Sequence, residues 1–306
     1  MALFRALAAS LLISILASRG LAKNLTKTIV GCDEVQCPVE DGEPHCRVED
    51  NIFNNIGLTR IPNVPDSLED FSIVKGVNIS GPNDDTYRNV YYLGTPHNVS
   101  LDEVYGCAVF FHDPPGRKFP ENGTGACSDV IDQSCIDAIQ DLAIEAVTYR
   151  YVDGICKVLQ QELEEASLSA CQNFTGQGTG IGSISAVSIS NLTNINAKDN
   201  ATSDCWPILP KSANLAPLYY DTRGWDGGPF PETGYNELHR ITPLLTLFMK
   251  KSNQESVVSA SLSRLSCLKI NSTWTGGSEE WGNGTPRLAI SVLTAVGAFA
   301  AFVMTL

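Results

Sequence analysis

The apolar positions of this chain change rhythm twice. From residue 23 to 112 they come in short runs bounded by Gly, Pro, Asn and Asp: "KTIVGC", "FSIVKGVNI", "RNVYYLG" and "GCAVFFHD". Runs of this length, rich in β-branched and aromatic residues, predict strands. In the last of them the apolar stretch is continuous over 107–111, which suits a strand covered on both faces. Between the first two runs, "GCDEVQCPVEDGEPHCRVED" is too polar for a core and carries three cysteines, so it reads as a stapled loop.

From 127 to 171 the period becomes helical. Ile131, Cys135, Ala138, Leu142, Ala146 and Tyr149 recur at three and four residues, and Ser128 and Asp129 are cap residues just before Val130. The pattern stops at Asp153-Gly154, a turn signal, and restarts with Ile155, Leu159, Leu163, Ala166 and Ala170. This predicts an α-helical hairpin over 128–171. Residues 172–204 are rich in Gly, Ser, Thr and Asn, which predicts a glycosylated low-complexity loop with a strand at 183–190. After Trp206 the strand rhythm returns. "ITPLLTLFMKK" and "SLSRLSCLKI" predict a hairpin, preceded by a long turn-rich loop that includes "LYYDTRGWDGGPF". The fold class expected is α+β: a disulfide-stapled, mainly antiparallel sheet with an inserted α-helical hairpin, in one mature domain over 23–276.

The two ends follow other rules. Residues 1–22 place Arg5 before an apolar run and small residues Gly20 and Ala22 at its end, the order of a secretory signal peptide cleaved after Ala22. At the other end, Gly276, Gly277 and Ser278 form a small-residue triplet. A polar spacer over 279–287 and an uncharged apolar tail over 288–306 follow it. Those three parts in that order are a glycosylphosphatidylinositol (GPI) attachment signal, with attachment at Gly276 or Gly277 and 277–306 removed. The membrane would then hold the protein through a lipid.

Other features agree with secretion. Sequons stand at Asn24, Asn78, Asn98, Asn122, Asn173, Asn191, Asn200, Asn271 and Asn283, and each one used must lie at the surface. Ten cysteines, all between the two apolar ends, predict up to five disulfides in an oxidising compartment. In a helical hairpin turning near Asp153, Cys135 faces Cys171, so that pair is expected. Cys107 and Cys127 bracket one loop and are the next expected pair. Removal of both ends leaves 18 basic and 32 acidic residues, a net charge of −14. Such a surface excludes nucleic acid as a partner.

Catalytic chemistry is sparse. There is no G-x-S-x-G elbow, no H-E-x-x-H and no C-x-x-C; the four histidines, His45, His97, His112 and His239, do not pair at ligand spacing. No metal or cofactor is expected. His112-Asp113 after a buried strand is half of a triad in form, with no nucleophile to complete it. The aromatic-rich loop is the remaining candidate. As a recognition surface, Tyr219, Tyr220 and Trp225 would stack on sugars, with Asp221, Arg223 and Asp226 bonding the hydroxyls. The competing reading has those aromatics folded back over the sheet.

The signal peptide, the "TGGS" region with its tail, and the dense sequons resemble GPI-anchored surface and cell-wall proteins of filamentous fungi. More loosely, "GCAVFF" followed by "GACSDVIDQSCIDAI", and "TPLLTLFMKK" followed by "SCLKI", are similar to a large secreted fungal group. The resemblance implies a place, the outer leaflet or wall, and no activity; a cell-wall polysaccharide is the partner expected of the aromatic-rich loop. A structural or binding role is expected. A wall-polysaccharide enzyme and a small-ligand surface receptor are the alternatives.

Overall fold

The computed structural model describes residues 29–32, 34–40, 43–80, 86–112, 119, 125–148, 154–172, 174–175, 178–190, 192–197, 205–224, 240–250 and 258–270. The signal peptide, the attachment region and tail, Trp225, Asp226 and all sequons except Asn78 and Asn98 lie outside these residues.

The described chain is α+β. Strands β1 (Val39–Glu40) and β2 (Glu43–Pro44) pair with each other, as do β3 (Cys46–Val48) and β4 (Asn51–Phe53). A four-stranded sheet follows from β5 (Asn55–Arg60), β6 (Ser72–Ser80), β7 (Thr86–Thr95) and β10 (Asn214–Gly224), in the order β10-β7-β6-β5. A second contains β8 (Gly106–Phe111), β9 (Ile184–Ser188), β11 (Thr242–Phe248) and β12 (Leu262–Leu268), in the order β12-β11-β8-β9. Every pairing in both is antiparallel. Two helices, α1 (Gln133–Thr148) and α2 (Ile155–Glu165), form the hairpin.

Alternation along the strands explains how these parts stack. On β8, Cys107, Val109 and Phe111 pack against the helices, while Ala108 and Phe110 meet the first sheet. On β7, Tyr91 and Leu93 face the second sheet, whereas Val90 and Tyr92 face outward into a third apolar cluster with Phe53, Trp206 and Ile208. Successive residues of a strand point to opposite faces, so one strand serves two cores. The result is layered: an N-terminal cover, the first sheet, the second sheet, then the helical hairpin. Gly76 is required in β6, because a Cβ there would lie 2.6 Å from the Phe53 ring.

Several expectations shift in detail. The 127–129 stretch is a 3₁₀ turn rather than the start of α1, and Asp129 Oδ2 accepts the Gly125 amide at 2.8 Å. The buried stripe of α1 is Cys135, Ile136, Ile139, Ala143, Ala146 and Val147. The predicted line through Ala138 and Leu142 runs beside it and is half-buried. Gly154, at φ +79°, begins α2 in the left-handed region that glycine favours. Asn98 is exposed in a turn, and Asn78 is half-buried on β6 opposite Arg88.

Among the described residues, disulfides join Cys37 to Cys46, Cys107 to Cys156, Cys127 to Cys267 and Cys135 to Cys171. The expected Cys107–Cys127 bond is therefore wrong. Cys107 points from a central strand to the helix layer, where α2 brings Cys156. Cys127, at the foot of α1, lies against β12 and meets Cys267 there.

A polar cavity at one end of the inter-sheet layer

The stretch read as a turn-rich recognition loop is strand as far as Gly224, and its remainder lies outside the described residues. β10 is an edge strand with a register shift between Pro217 and Tyr219, where the sheet tolerates a proline. Alternation then separates the two tyrosines. Tyr219 turns inward and stacks on Phe110 at 4.9 Å between ring centroids, while Tyr220 is 68% exposed on the other face. They do not form one stacking platform.

Inward from Tyr219 the layer between the sheets becomes polar. A cavity there is lined by Lys75, Asn89, Tyr91, Phe110, Phe111, His112, Tyr219, Asp221, Arg223, Arg240, Ile241 and Thr242. Each sheet contributes. Tyr91, Tyr219 and Asp221 share one face because β7 and β10 pair Tyr91 with Tyr219 and Asn89 with Asp221. Tyr91 sits 5.0 Å from Phe110 of the opposite sheet. These three rings make an aromatic wall beneath the charged groups.

Lys75 is the least expected member. It stands in the middle of an apolar strand and is 2% exposed. Its ammonium donates to Thr242 Oγ1 at 3.4 Å and lies 5.8 Å from the centroid of the Tyr91 ring. Tyr91 Oη and Thr242 Oγ1 are 3.2 Å apart, so Thr242 ties both groups of the first sheet to the second. Burial, and then the charge of Asp221, push the Tyr91 phenol well above its ordinary pKa; the Thr242 bond, Arg223 and Arg240 pull less strongly the other way. Tyr91 therefore keeps its proton and can donate it in a hydrogen bond.

At the rim, Arg223 Nε donates to Asp221 Oδ2 at 2.8 Å. The other carboxylate oxygen, Asp221 Oδ1, is enclosed and has no hydrogen-bond partner. Arg240 Nη2 donates to the His112 carbonyl at 2.6 Å. The His112 ring is 5.5 Å from Tyr219, and its Nε2 is 2.8 Å from Ser185 Oγ of β9.

The cavity thus gathers three residues the sequence had singled out for other reasons, Tyr219, Asp221 and Arg223, together with His112. It adds Lys75, Asn89, Tyr91, Arg240 and Thr242, which sequence reasoning missed. One signal was available: Lys75 is a lone charge inside "FSIVKGVNI". Ser185 supplies a hydroxyl partner for His112 that no motif marks. The neighbouring amide that an oxyanion would need is engaged, since Ala186 N–H donates to Gln160 Oε1 at 3.2 Å.

Among the described residues no group of three or more His, Cys, Asp or Glu could hold a metal ion. Among them, too, no helix is long and apolar enough to cross a membrane. Comparison with protein-family models, curated proteins and solved structures finds no match for this chain.

Proposed function

We propose that this chain is a secreted, GPI-anchored glycoprotein of the cell surface or wall with a binding role, and that the inter-sheet cavity is its ligand site. The anchoring is inferred from the two ends of the sequence and its sequons; four disulfides suit the same compartment. The binding role rests on one observation: a buried lysine, a protonated tyrosine and an unpartnered carboxylate oxygen converge where the sandwich should be apolar. Buried polar groups are costly, and a purely structural layer would fill this space with hydrocarbon.

The cavity does not fit a wall-polysaccharide enzyme. Among its described lining residues Asp221 is the one carboxylate, and glycoside hydrolysis takes two. Its volume, about 10 Å³, is near that of a single water and leaves no room for a pyranose ring. A thermal-shift screen of the mature protein, purified from cells in detergent, against small polar metabolites tests the binding role. One chemical class should raise the melting temperature, and Asp221→Asn should alter that response. If no class does so in the wild-type protein, the role is structural.

The His112–Ser185 contact favours a second reading, a serine hydrolase. Labelling of Ser185 by a fluorophosphonate, abolished in His112→Ala, is its test; absence of labelling excludes it.

A further inference from the structure

We propose that Cys32 and Cys205 are joined by a fifth disulfide in the secreted protein, and that this bond clasps the N-terminal cover to the segment leading into β10. This rests on the reading of the chain as secreted, because the bond needs an oxidising compartment.

Four bonds use eight of the ten cysteines, and Cys32 and Cys205 are the other two. Both carry thiols in this structure, and Cys32 Sγ donates to the Asn54 carbonyl at 3.5 Å. The two are far apart in sequence and close in the fold. Their closeness is fixed in three ways. First, both touch the β3–β4 ribbon. The Arg47 amide donates to the Cys205 carbonyl at 2.7 Å, and Arg47 is the register partner of Ile52. Asn54, which receives the Cys32 thiol, lies just past the end of the same ribbon.

Second, one ammonium spans the two segments. Lys211 Nζ donates to the Val35 carbonyl and, at 2.6 Å, to the Trp206 carbonyl. Two oxygens bound to one ammonium stand no more than about 6 Å apart. Trp206 follows Cys205 directly. Val35 belongs to the turn that holds Cys32, since its amide donates to the Gly31 carbonyl at 3.2 Å and the Cys37 amide donates to the Cys32 carbonyl at 2.9 Å. Third, the surroundings are shared. Cys32 is buried in one apolar cluster with Val35, Cys46, Phe53 and Trp206, and Cys205 is half-buried next to Trp206. A disulfide closes with Cα atoms about 4.4 to 6.8 Å apart, so segments already tied this closely need side-chain rotation rather than refolding.

The chemistry balances with one co-reactant. Two S–H bonds break and one S–S bond forms. The two electrons and two protons pass to a disulfide oxidant of the secretory compartment, whose own S–S bond opens to two thiols through a mixed disulfide. The product closes a long loop, which removes conformational freedom from the unfolded chain. In the folded chain it adds a covalent tie where the cover is otherwise joined to the segment before β10 by hydrogen bonds and apolar contact.

Peptide mapping of the mature protein tests this. The protein is unfolded without reductant in an alkylating agent, freed of N-glycans, and cut with trypsin and a glutamate-specific protease. Cleavage after Glu34 and Glu40 places Cys32, Cys37 and Cys46 on separate peptides. A peptide linking Cys32 to Cys205, with neither sulfur alkylated, is expected. Alkylation of both, or a link from Cys32 to Cys37 or Cys46, overturns the proposal. If all ten cysteines are alkylated, the secreted reading fails with it; if only these two are, that reading stands. Thermal unfolding gives a second measurement. Cys32→Ser and Cys205→Ser should each lower the melting temperature by several degrees, and the double variant should fall no further than the lower of the two, since each change removes the same bond. Losses that add in the double variant overturn the bond. Should the variants fail to be secreted, the wild-type map alone decides.

Discussion

The same strands build two unlike regions in the layer between the sheets. At one end Phe71 and Phe248 meet edge to face at 5.9 Å, with Ile73, Leu93, Ala216 and Leu244 around them. At the other, along the same strands, stand Lys75, Asn89, Tyr91, Asp221, Arg223 and Thr242. The backbone is continuous and antiparallel through both. Side-chain chemistry alone separates them. The apolar end gains stability from area removed from water. The polar end spends part of it, since each buried charge must recover its lost hydration from partners. A fold tolerates that loss most readily at one end of a sandwich, where the rest of the layer is already closed.

This contrast predicts a graded set of effects. The largest belongs to the apolar end: Phe248→Ala should cost about 3 to 5 kcal/mol in chemical unfolding, because the cavity left behind cannot collapse. A smaller cost at that position would mean that the layer is less tightly packed there than its contacts indicate.

Alkaline pH acts next. Tyr91 on the inner face and Tyr92 on the outer face both have phenols raised above the ordinary value, mainly by burial. A raised folded pKa means the unfolded chain loses its proton first. The stabilisation is fully present below about pH 10, the value of an unfolded phenol, and is lost as pH rises from there through the folded values. The slope should approach about 1.4 kcal/mol per pH unit for each phenol. Unfolding titrations between pH 9 and 11 on Tyr91→Phe and Tyr92→Phe should each remove part of it; an unchanged slope in both would show that other groups carry it.

At neutral pH, Tyr91→Phe deletes one hydrogen bond, to Thr242, and should cost only about 1 kcal/mol while altering any ligand response of the cavity. Binding affinity and melting temperature would thus part company at the polar end and move together at the apolar one. The smallest effect is expected at Tyr220→Ala. Its ring is exposed on the far face of β10, so stability should change by no more than about 0.5 kcal/mol and ligand affinity not at all. A large loss there would restore Tyr220 to the recognition surface.

How far the chain can be read without coordinates follows from the same contrast. β6, β7 and β8 were legible because their apolar and aromatic runs are local signals, and the helical hairpin because three-four spacing runs from Ile131 to Tyr149 and again from Ile155 through Leu159 and Leu163, although the buried stripe of α1 lies one residue over, at Ile139 and Ala143. The Cys135–Cys171 bond followed from that hairpin. β10 was not legible. Pro217, Asp221 and Gly224 are turn residues by composition, and only its place at a sheet edge, with an irregularity after the proline, makes them strand residues. The cavity was hidden for a different reason. Lys75 and Tyr91 are register partners on β6 and β7, but Asp221 joins them from the distant strand β10, and Arg240 and Thr242 only when the second sheet closes over the first, which no spacing rule describes. Cys107 failed likewise: loop proximity suggested Cys127, but the face of a central strand chose Cys156.

The Cys127–Cys267 bond has a mechanical consequence. Tension entering from the carboxyl side, where a glycolipid would be joined, reaches Cys267 near the end of β12 and passes through sulfur to Cys127. The bond spans a sequence separation of 140, and everything inside that loop, both helices and strands β9 to β11, is bypassed by the load. Peeling can take the last residues of β12 and then stops at a covalent link. Tension applied between the amino-terminal strands and the carboxyl side would therefore leave the helical layer wound.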